Sequence, residues 1–327
     1  MRFVVVGEAL VDVVPAVPSP VVSAEVPELG SAESREQAGL PKTRDLPGGS
    51  PANVAVTLGR LGRQATLVTT LGDDARGALV RGWLEASDVD VVAAAPATGR
   101  TSTAAVVLDA RGGASYDFDL TWDLPAQLLE AQVDRADVVH AGSIATVLEP
   151  GADAVEAALR GAAGRALVSF DPNARPAITP DVPAVLGHVE RLVALSDVVK
   201  VSEEDLAWYY PGVEPVEAAQ RWAAHGPVLV VVTLGGDGAI AVRGDDVVRT
   251  PGVKVDVADT IGAGDTFMGA LLDALAGEGA VGAQARAVLT ALTPEQLAHA
   301  LTWAARAAAV TVSRPGADPP TRAELES

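Results

Sequence analysis

The segment Asp259-Thr-Ile-Gly-Ala-Gly-Asp-Thr-Phe-Met-Gly-Ala-Leu-Leu272 opens with small residues at 262–264 and runs on as an apolar helix. Amides at such a helix start have no intrahelical acceptor and the helix dipole adds to them, so Gly262, Ala263 and Gly264 read as an anion hole. A side chain there would keep a phosphate away from the backbone. Asp265 stands at the same spot, where a carboxylate can take a proton from a hydroxyl beside the phosphate. The same aspartate could instead do no more than cap a helix after a glycine turn.

Upstream, Gly48-Gly-Ser-Pro-Ala-Asn-Val-Ala55 sets a glycine pair before another helix. Glycines let the backbone approach a small polar ligand, and Asn53 offers a donor and an acceptor from the first helical turn. A loop followed by a buried helix, with Asn53 as its cap, is the plainer alternative.

Around these two segments, β-branched runs at 3–6, 65–70, 138–141, 166–170, 198–201 and 228–233 alternate with Ala/Leu-rich stretches near 51–61, 74–86, 151–161, 182–195, 215–225, 265–276 and 295–312. Nearly continuous apolar runs suit strands buried on both faces. The alternation predicts an α/β fold with a doubly wound, mainly parallel sheet flanked by helices. Two stretches break the pattern. Residues 15–45 are rich in Pro, Ser and Glu, and residues 100–122 alternate polar and apolar around Arg111-Gly112-Gly113, a hairpin signature. They predict a small β-sheet lid over the C-terminal strand ends, where ligands bind such folds. Residues 1–14, 46–99 and 123–327 are then the core that holds nucleotide and substrate. A surface loop and an ordinary edge hairpin would produce the same pattern.

The 327 residues include 24 basic and 43 acidic side chains, a net charge of −19. Such a surface repels phosphodiester backbones and anionic lipids, so neither nucleic acid nor membrane is an expected partner. A phosphate site must be built locally, from amides and a few cations; Lys42, Lys200 and Lys254 are the only lysines. With no cysteine, disulfides, thiolate zinc sites and a cysteine nucleophile are excluded. No apolar run reads as a secretory core or a membrane span, and a cytoplasmic protein is expected.

Taken in order, the two glycine segments resemble both signature motifs of the ribokinase-like (PfkB) family of sugar kinases. The first reads Gly48-Gly49-x-Pro51-x-Asn53-x-Ala55, followed by Gly62 and Gly72; the second is the 259–272 block. Further landmarks extend the resemblance over nearly the whole chain. Asp12 matches the aspartate that binds the acceptor sugar. Asp171-Pro-Asn-Ala-Arg175 resembles the DxNxR segment near the phosphates, with Asn173 within it. Lys200-Val-Ser-Glu-Glu-Asp205 occupies the place of the N-x-x-E motif linked to Mg²⁺ and phosphate. Ser202 stands there for Asn and Asp205 for Glu, with Glu203 or Glu204 as substitutes. Thr233-Leu-Gly-Gly-Asp-Gly238 resembles the ATP-binding turn, including Thr233, Gly235 and Gly238. The 311–317 loop resembles one that helps form the adenine pocket and a monovalent-cation site, with Asp259, Ile261 and Ser313 as ligands for K⁺.

The resemblance implies an ATP-dependent sugar kinase that uses Mg²⁺ and K⁺, with a homodimer through the lid as a further implication. Sugar would be held by Asp12, Gly48, Gly49 and Asn53, with Asp265 as general base. Lys200, Ser202, Asn173 and the 233–238 turn would hold ATP. The Ser50-Pro51-Ala52 filling resembles fructokinases, whereas ribokinases usually carry a Gly-Lys-Gly-Ala-Asn form, so fructose is the expected acceptor. 2-Keto-3-deoxygluconate, ribose and nucleosides are the alternatives. A sugar acid would need a cation, and Arg100 at the start of the lid strand is the first candidate, before Arg111 and Arg175. A sugar- or nucleotide-binding protein that has lost catalysis is a rival of another class, opposed by the intact Asp265 and anion-hole residues. A dinucleotide-dependent dehydrogenase is disfavoured, because the G-x-G-x-x-G at 277–282 follows a helix. His140, His188, His225 and His299 lack metal-ligand spacing.

Overall fold

The valine-rich runs become the interior of a sheet whose alternate side chains feed two separate cores. A computed structural model describes residues 1–15, 43–108 and 114–327. In chain order its strands are β1 (Arg2–Val6), β2 (Leu10–Pro15), β3 (Thr43–Gly48), β4 (Gln64–Thr70), β5 (Val89–Ala94), β6 (Thr103–Leu108), β7 (Ala114–Asp119), β8 (Val138–Gly142), β9 (Leu167–Asp171), β10 (Val198–Ser202), β11 (Leu229–Thr233), β12 (Ala239–Arg243) and β13 (Asp246–Thr250). Nine of them form one sheet in the order β13-β12-β11-β10-β9-β8-β1-β4-β5. Neighbours from β5 to β11 run parallel. β12 and β13 are antiparallel additions at one edge. The connection from β11 to β12 is the short Gly235–Gly238 turn, too short for the crossover that a parallel neighbour requires.

The helices are α1 (Ser50–Arg60), α2 (Ala75–Glu85), α3 (Ala126–Val133), α4 (Gly151–Ala162), α5 (Val182–Leu195), α6 (Glu203–Tyr209), α7 (Pro215–Ala223), α8 (Ala263–Gly277), α9 (Ala285–Ala291), α10 (Pro294–Val312) and α11 (Arg322–Glu326). On one face Phe3 and Val5 join Leu58 of α1, Leu271 of α8 and Leu301 of α10. On the other, Val4 and Val6 join Leu159 of α4, Leu192 of α5 and Trp222 of α7. A side chain such as Leu192 or Leu271, fully withdrawn from water, contributes ~1.5–3 kcal/mol. Gly269 lets α8 close on α1, since a Cβ there would lie 2.7 Å from Thr57 Cβ. That contact brings the two helix starts, and with them the two glycine motifs, to one place.

From β1 the chain goes to β4 and β5 on one side, then returns to β8 and continues outward on the other. Strand order therefore reverses between β1 and β8, the crevice where ligands enter open α/β sheets. Above the crevice lies a second sheet of order β3-β2-β6-β7, with β2 and β6 parallel and the other pairs antiparallel. It draws in residues 10–15 and 43–48 as well as the hairpin read from 100–122. The expected lid segment at 16–42 and the hairpin tip with Arg111 lie outside the described residues. Leu10, Ala104 and Ile144, with Phe118, Leu120 and Ile178, form a small apolar cluster joining this sheet to the strand ends. Among the described residues no helix is long and apolar enough to cross a membrane.

Candidate active site

Polar side chains line up where five adjacent parallel strands end. Glu8 follows β1, Ser143 follows β8, Asp171 closes β9, Ser202 closes β10 and Thr233 closes β11. α8 points its first turn into this line. Gly262 precedes it at φ 74, a left-handed conformation suited to glycine, and a Cβ there would come within 2.6 Å of Ala317 Cβ. Among the described residues the amides of Gly264 and Asp265 have no backbone acceptor, whereas Ala263 donates to Thr260. Two free donors on a helix start suit an anion.

Asp265 is buried in this first turn and its carboxylate is held by three donors. Oδ1 accepts the Ser50 hydroxyl at 2.6 Å and Asn173 Nδ2 at 3.3 Å, and Oδ2 accepts Asn53 Nδ2 at 2.8 Å. Asn173 Nδ2 also donates to Ser50 Oγ at 2.7 Å. Asn53 Oδ1 is buried without a hydrogen-bond partner, an acceptor facing a site whose other groups are polar. A ligand hydroxyl would satisfy it.

Asp12 comes down from β2 on the opposite wall. A Cβ on Gly48 would lie 2.3 Å from Asp12 Oδ2, so the glycine makes room for the carboxylate. Gly49, at φ 105, likewise lies against the Glu8 carbonyl, 2.6 Å from where its Cβ would stand. Burial pushes the Asp12 carboxyl up to about 6; Arg175 opposes this and Asp265 adds to it. Arg175 donates to Asn173 Oδ1 at 2.6 Å and to the Asn173 carbonyl at 2.9 Å, which fixes the residue that in turn holds Asp265. Asn173 itself takes φ 39.

Lys200 is buried on β10 and donates to Asp171 Oδ2 at 3.0 Å. Burial works against its ammonium, yet Asp171, Asp205 and Asp265 together hold its pKa above the ordinary lysine value. Its Nζ would stand 2.9 Å from a Cβ on Gly264, so the cation lies directly against the anion hole. Asp205 is raised by burial, with Lys200, Ser202 and Arg175 opposing. Ser202 serves as the cap of α6, accepting the Asp205 amide at 3.0 Å. Further along, Gly235 and Gly238 take φ 53 and 105 in the turn after Thr233. His140 is a core imidazole, with Nδ1 3.0 Å from Ser169 Oγ; burial and then Lys200 push it down to about 3.

Asp259 ties the second motif to the C-terminal loop. Oδ1 accepts the Ile261 amide at 3.0 Å and Oδ2 the Gly316 amide at 2.9 Å. Ser313 is close in sequence, but its hydroxyl donates to the Val310 carbonyl at 2.7 Å. Each Asp259 oxygen keeps a lone pair beside the loop, a donor available to a monovalent cation. For a divalent ion, no group of three or more His, Asp or Glu side chains converges among the described residues. Asp205 supplies a single partly buried carboxylate, which suits a divalent ion only if that ion keeps most of its own waters. Arg100 stands apart from the cluster around Asp265: it is largely exposed and pairs with Asp119 at 3.0 Å.

Sequence reasoning had named the two motifs but given Ser50 no contact with Asp265, and it had assigned Glu8 nothing. Ser50 could have been suspected from its place one residue into a helix beside Asn53. Asp171 and Lys200 carried a weak signal, each a charged residue at or in an otherwise apolar strand.

The chain matches the pfkB family of carbohydrate kinases over residues 2–324. It is 36% identical over 232 residues to a fructokinase from Rhizobium leguminosarum bv. trifolii, covering 70% of this chain and 71% of that protein. Among solved structures, a fructokinase with bound ATP from Xylella fastidiosa superposes with a TM-score of 0.83 at 26% identity, over 99% of this chain and 97% of the other. A fructokinase double mutant from Vibrio cholerae O395, bound to fructose, ADP and a potassium ion, gives 0.76 at 27% identity, over 99% and 97%. With both signature motifs meeting at one crevice, the chain belongs to the pfkB family of carbohydrate kinases.

Proposed function

We propose that this kinase transfers the γ-phosphoryl group of ATP to a terminal hydroxyl of fructose, with Asp265 as general base. The observation that carries the reading is the placement of the Asp265 carboxylate beside the free amides of Gly264 and Asp265, facing the unpaired Asn53 Oδ1. Sugar hydroxyls fit the acceptors of Asp12 and Asn53, with Gly48 and Gly49 allowing close approach. Asp265 accepts the hydroxyl proton as the oxygen attacks phosphorus in line, and ADP leaves. Within the 262–265 anion hole the free amides of Gly264 and Asp265, with the Lys200 ammonium, offset charge on the transferring group. Asn173, Ser202, Thr233, Gly235 and Gly238 line the nucleotide side of the site.

Mg²⁺ would neutralise the nucleotide phosphates, with Asp205 holding its waters. K⁺ would sit between Asp259, the Ile261 carbonyl and the 313–316 loop, fixing the approach to α8 without touching substrate. The small sheet would act as a lid that excludes water from the phosphoryl donor.

A neutral acceptor is supported by the engagement of the available cations. Arg175 is occupied by Asn173, and Arg100 by Asp119 at the surface. A phosphorylation screen over fructose, ribose, 2-keto-3-deoxygluconate and nucleosides, with product position determined, tests the assignment. Fructose is expected to have the highest kcat/KM. A higher value for 2-keto-3-deoxygluconate, lost in Arg100→Ala, would replace fructose by the sugar acid.

A further inference from the structure

Glu8 is a buried acid that the reaction described above leaves unused. Glu8 is 6% exposed and stands where the chain leaves the large sheet after β1, two residues before β2 begins in the small one. Its Oε2 accepts the Ala145 amide at 3.1 Å, and the Ser143 hydroxyl is a second hydrogen-bond partner. Both partners belong to the 3₁₀ turn Ser143–Thr146 that follows β8, the strand across the switch point from β1. Ser143 holds φ 57, a conformation that costs a non-glycine residue free energy and persists where neighbours over-determine it. Thr146 contributes by donating its hydroxyl to the Ser143 carbonyl at 2.7 Å.

The main chain around Glu8 faces the opposite wall. Gly49 lies against the Glu8 carbonyl, and a Cβ on Gly7 would fall 2.2 Å from Pro51 Cγ. The segment is thus in contact with the first glycine motif on one side and the β8 turn on the other. Apolar packing of Leu10 on Ile144 and Ala104 holds the small sheet close but is non-directional. The hydrogen bonds of a carboxylate supply direction.

We propose that Glu8 is a positioning residue for the acceptor: its carboxylate clamps the crossing between the two sheets to the Ser143–Thr146 turn, and so sets where Asp12 on β2 stands relative to Asp265. The inference rests on the sugar-kinase reading. Burial pushes the Glu8 carboxyl up to about 7, with its hydrogen bonds and then Arg175 opposing. Arg175 is the charged side chain that acts on it among the described residues; the facing turns at 49–51 and 143–146 carry none. As pH falls through about 7 the clamp loses acceptor capacity, and sugar affinity should weaken before Asp12 itself protonates near 6.

Calorimetric titration of fructose and, separately, of ATP into the full chain between pH 6 and 8.5, with thermal melts, tests this. Glu8→Gln is expected to weaken sugar binding ~5–50-fold at pH 8, the loss of one charge-assisted hydrogen bond, while ATP affinity stays within about twofold. The step near pH 7 should vanish and the step near 6 remain. A folded-state pKa raised above 4.5 means that stability falls as pH rises from there through about 7. The glutamine variant escapes this loss and should melt no lower than wild type at pH 8. Unchanged sugar affinity overturns the proposal, as does an equal loss of sugar and ATP binding with a lower Tm. If Glu8→Gln does not fold, Ser143→Ala carries the test: weaker sugar binding with an upward shift of the step near pH 7 supports the clamp, and a wild-type titration overturns it. Wild-type protein that binds ATP but not fructose would instead overturn the assignment of fructose as acceptor.

Discussion

Ser50 donates its hydroxyl to Asp265 Oδ1 across 2.6 Å, joining the first residue of α1 to the first turn of α8 over a separation of 215 positions. The serine hydroxyl donates to the carboxylate proposed above as base, and a substrate hydroxyl in the same place would have to take over that bond. Asn53 and Asn173 would keep the carboxylate oriented during such an exchange. Ser50→Ala should therefore cost less than tenfold in kcat, about 1 kcal/mol for one hydrogen bond with two remaining. Steady-state kinetics at saturating sugar and ATP check this; a loss as large as that of Asp265→Asn would make Ser50 part of the chemistry.

Asp265→Asn should fold, bind ATP and lose ~10²–10⁴ in kcat, the usual cost of a positioned general base. Amide nitrogen at Oδ1 or Oδ2 would also face existing donors from Ser50, Asn53 or Asn173. Near-native turnover would remove Asp265 from the role of base.

Asp12→Ala should raise the KM for sugar far more than that for ATP, because a buried hydroxyl pair loses its acceptor. In the wild type, kcat/KM for sugar should fall as pH drops through about 6, where the Asp12 carboxyl takes up its proton. The sign for stability is the reverse of that for binding: with the folded pKa above 3.8, ionisation between 3.8 and 6 lowers stability as pH rises. Equal rises in both KM values would contradict the placement of Asp12 at the sugar.

Gly264→Ala puts a methyl 2.9 Å from Lys200 Nζ, in the first turn of α8. It should depress kcat by one to two orders of magnitude, ~1.4–2.8 kcal/mol in the barrier, with little change in sugar KM. Rates of single-turnover phosphoryl transfer are the measurement, and a silent substitution would detach the anion hole from residues 262–265.

Rates should be higher in K⁺ than in Na⁺ or Li⁺ at matched ionic strength, and Asp259→Ala should abolish the difference. The carboxylate joins Ile261 to Gly316, so a cation beside it would stiffen the entry to α8. Identical rates in the three salts would leave the 311–317 loop with no role for a cation.

The fold class, the helix start at 262–264 and the two glycine motifs were all readable from the chain because each depends on neighbours in sequence. Continuous valine runs mean burial on both faces, and a glycine or proline punctuates a turn wherever it occurs. Edge strands β5 and β13 were less legible, since a partly exposed strand has a weaker apolar signature and its partner is set elsewhere. The small sheet was foreseen from its hairpin, yet its pairing of β2 with β3 and β6 depends on segments far apart in the chain. Tertiary structure alone decided the contacts that carry the chemistry. The approach of α8 to α1 at Gly269 and Thr57 turns Ser50 and Asn53 into partners of Asp265. The parallel alignment of β9, β10 and their neighbours puts Lys200 on Asp171 and beneath Gly264. The reversal of strand order between β1 and β8 brings Glu8 to Ala145. A sequence records which groups are present and their local conformational preferences; hydrogen bonds and charge pairs act over a few ångströms, so only the packing of distant elements determines which groups they join.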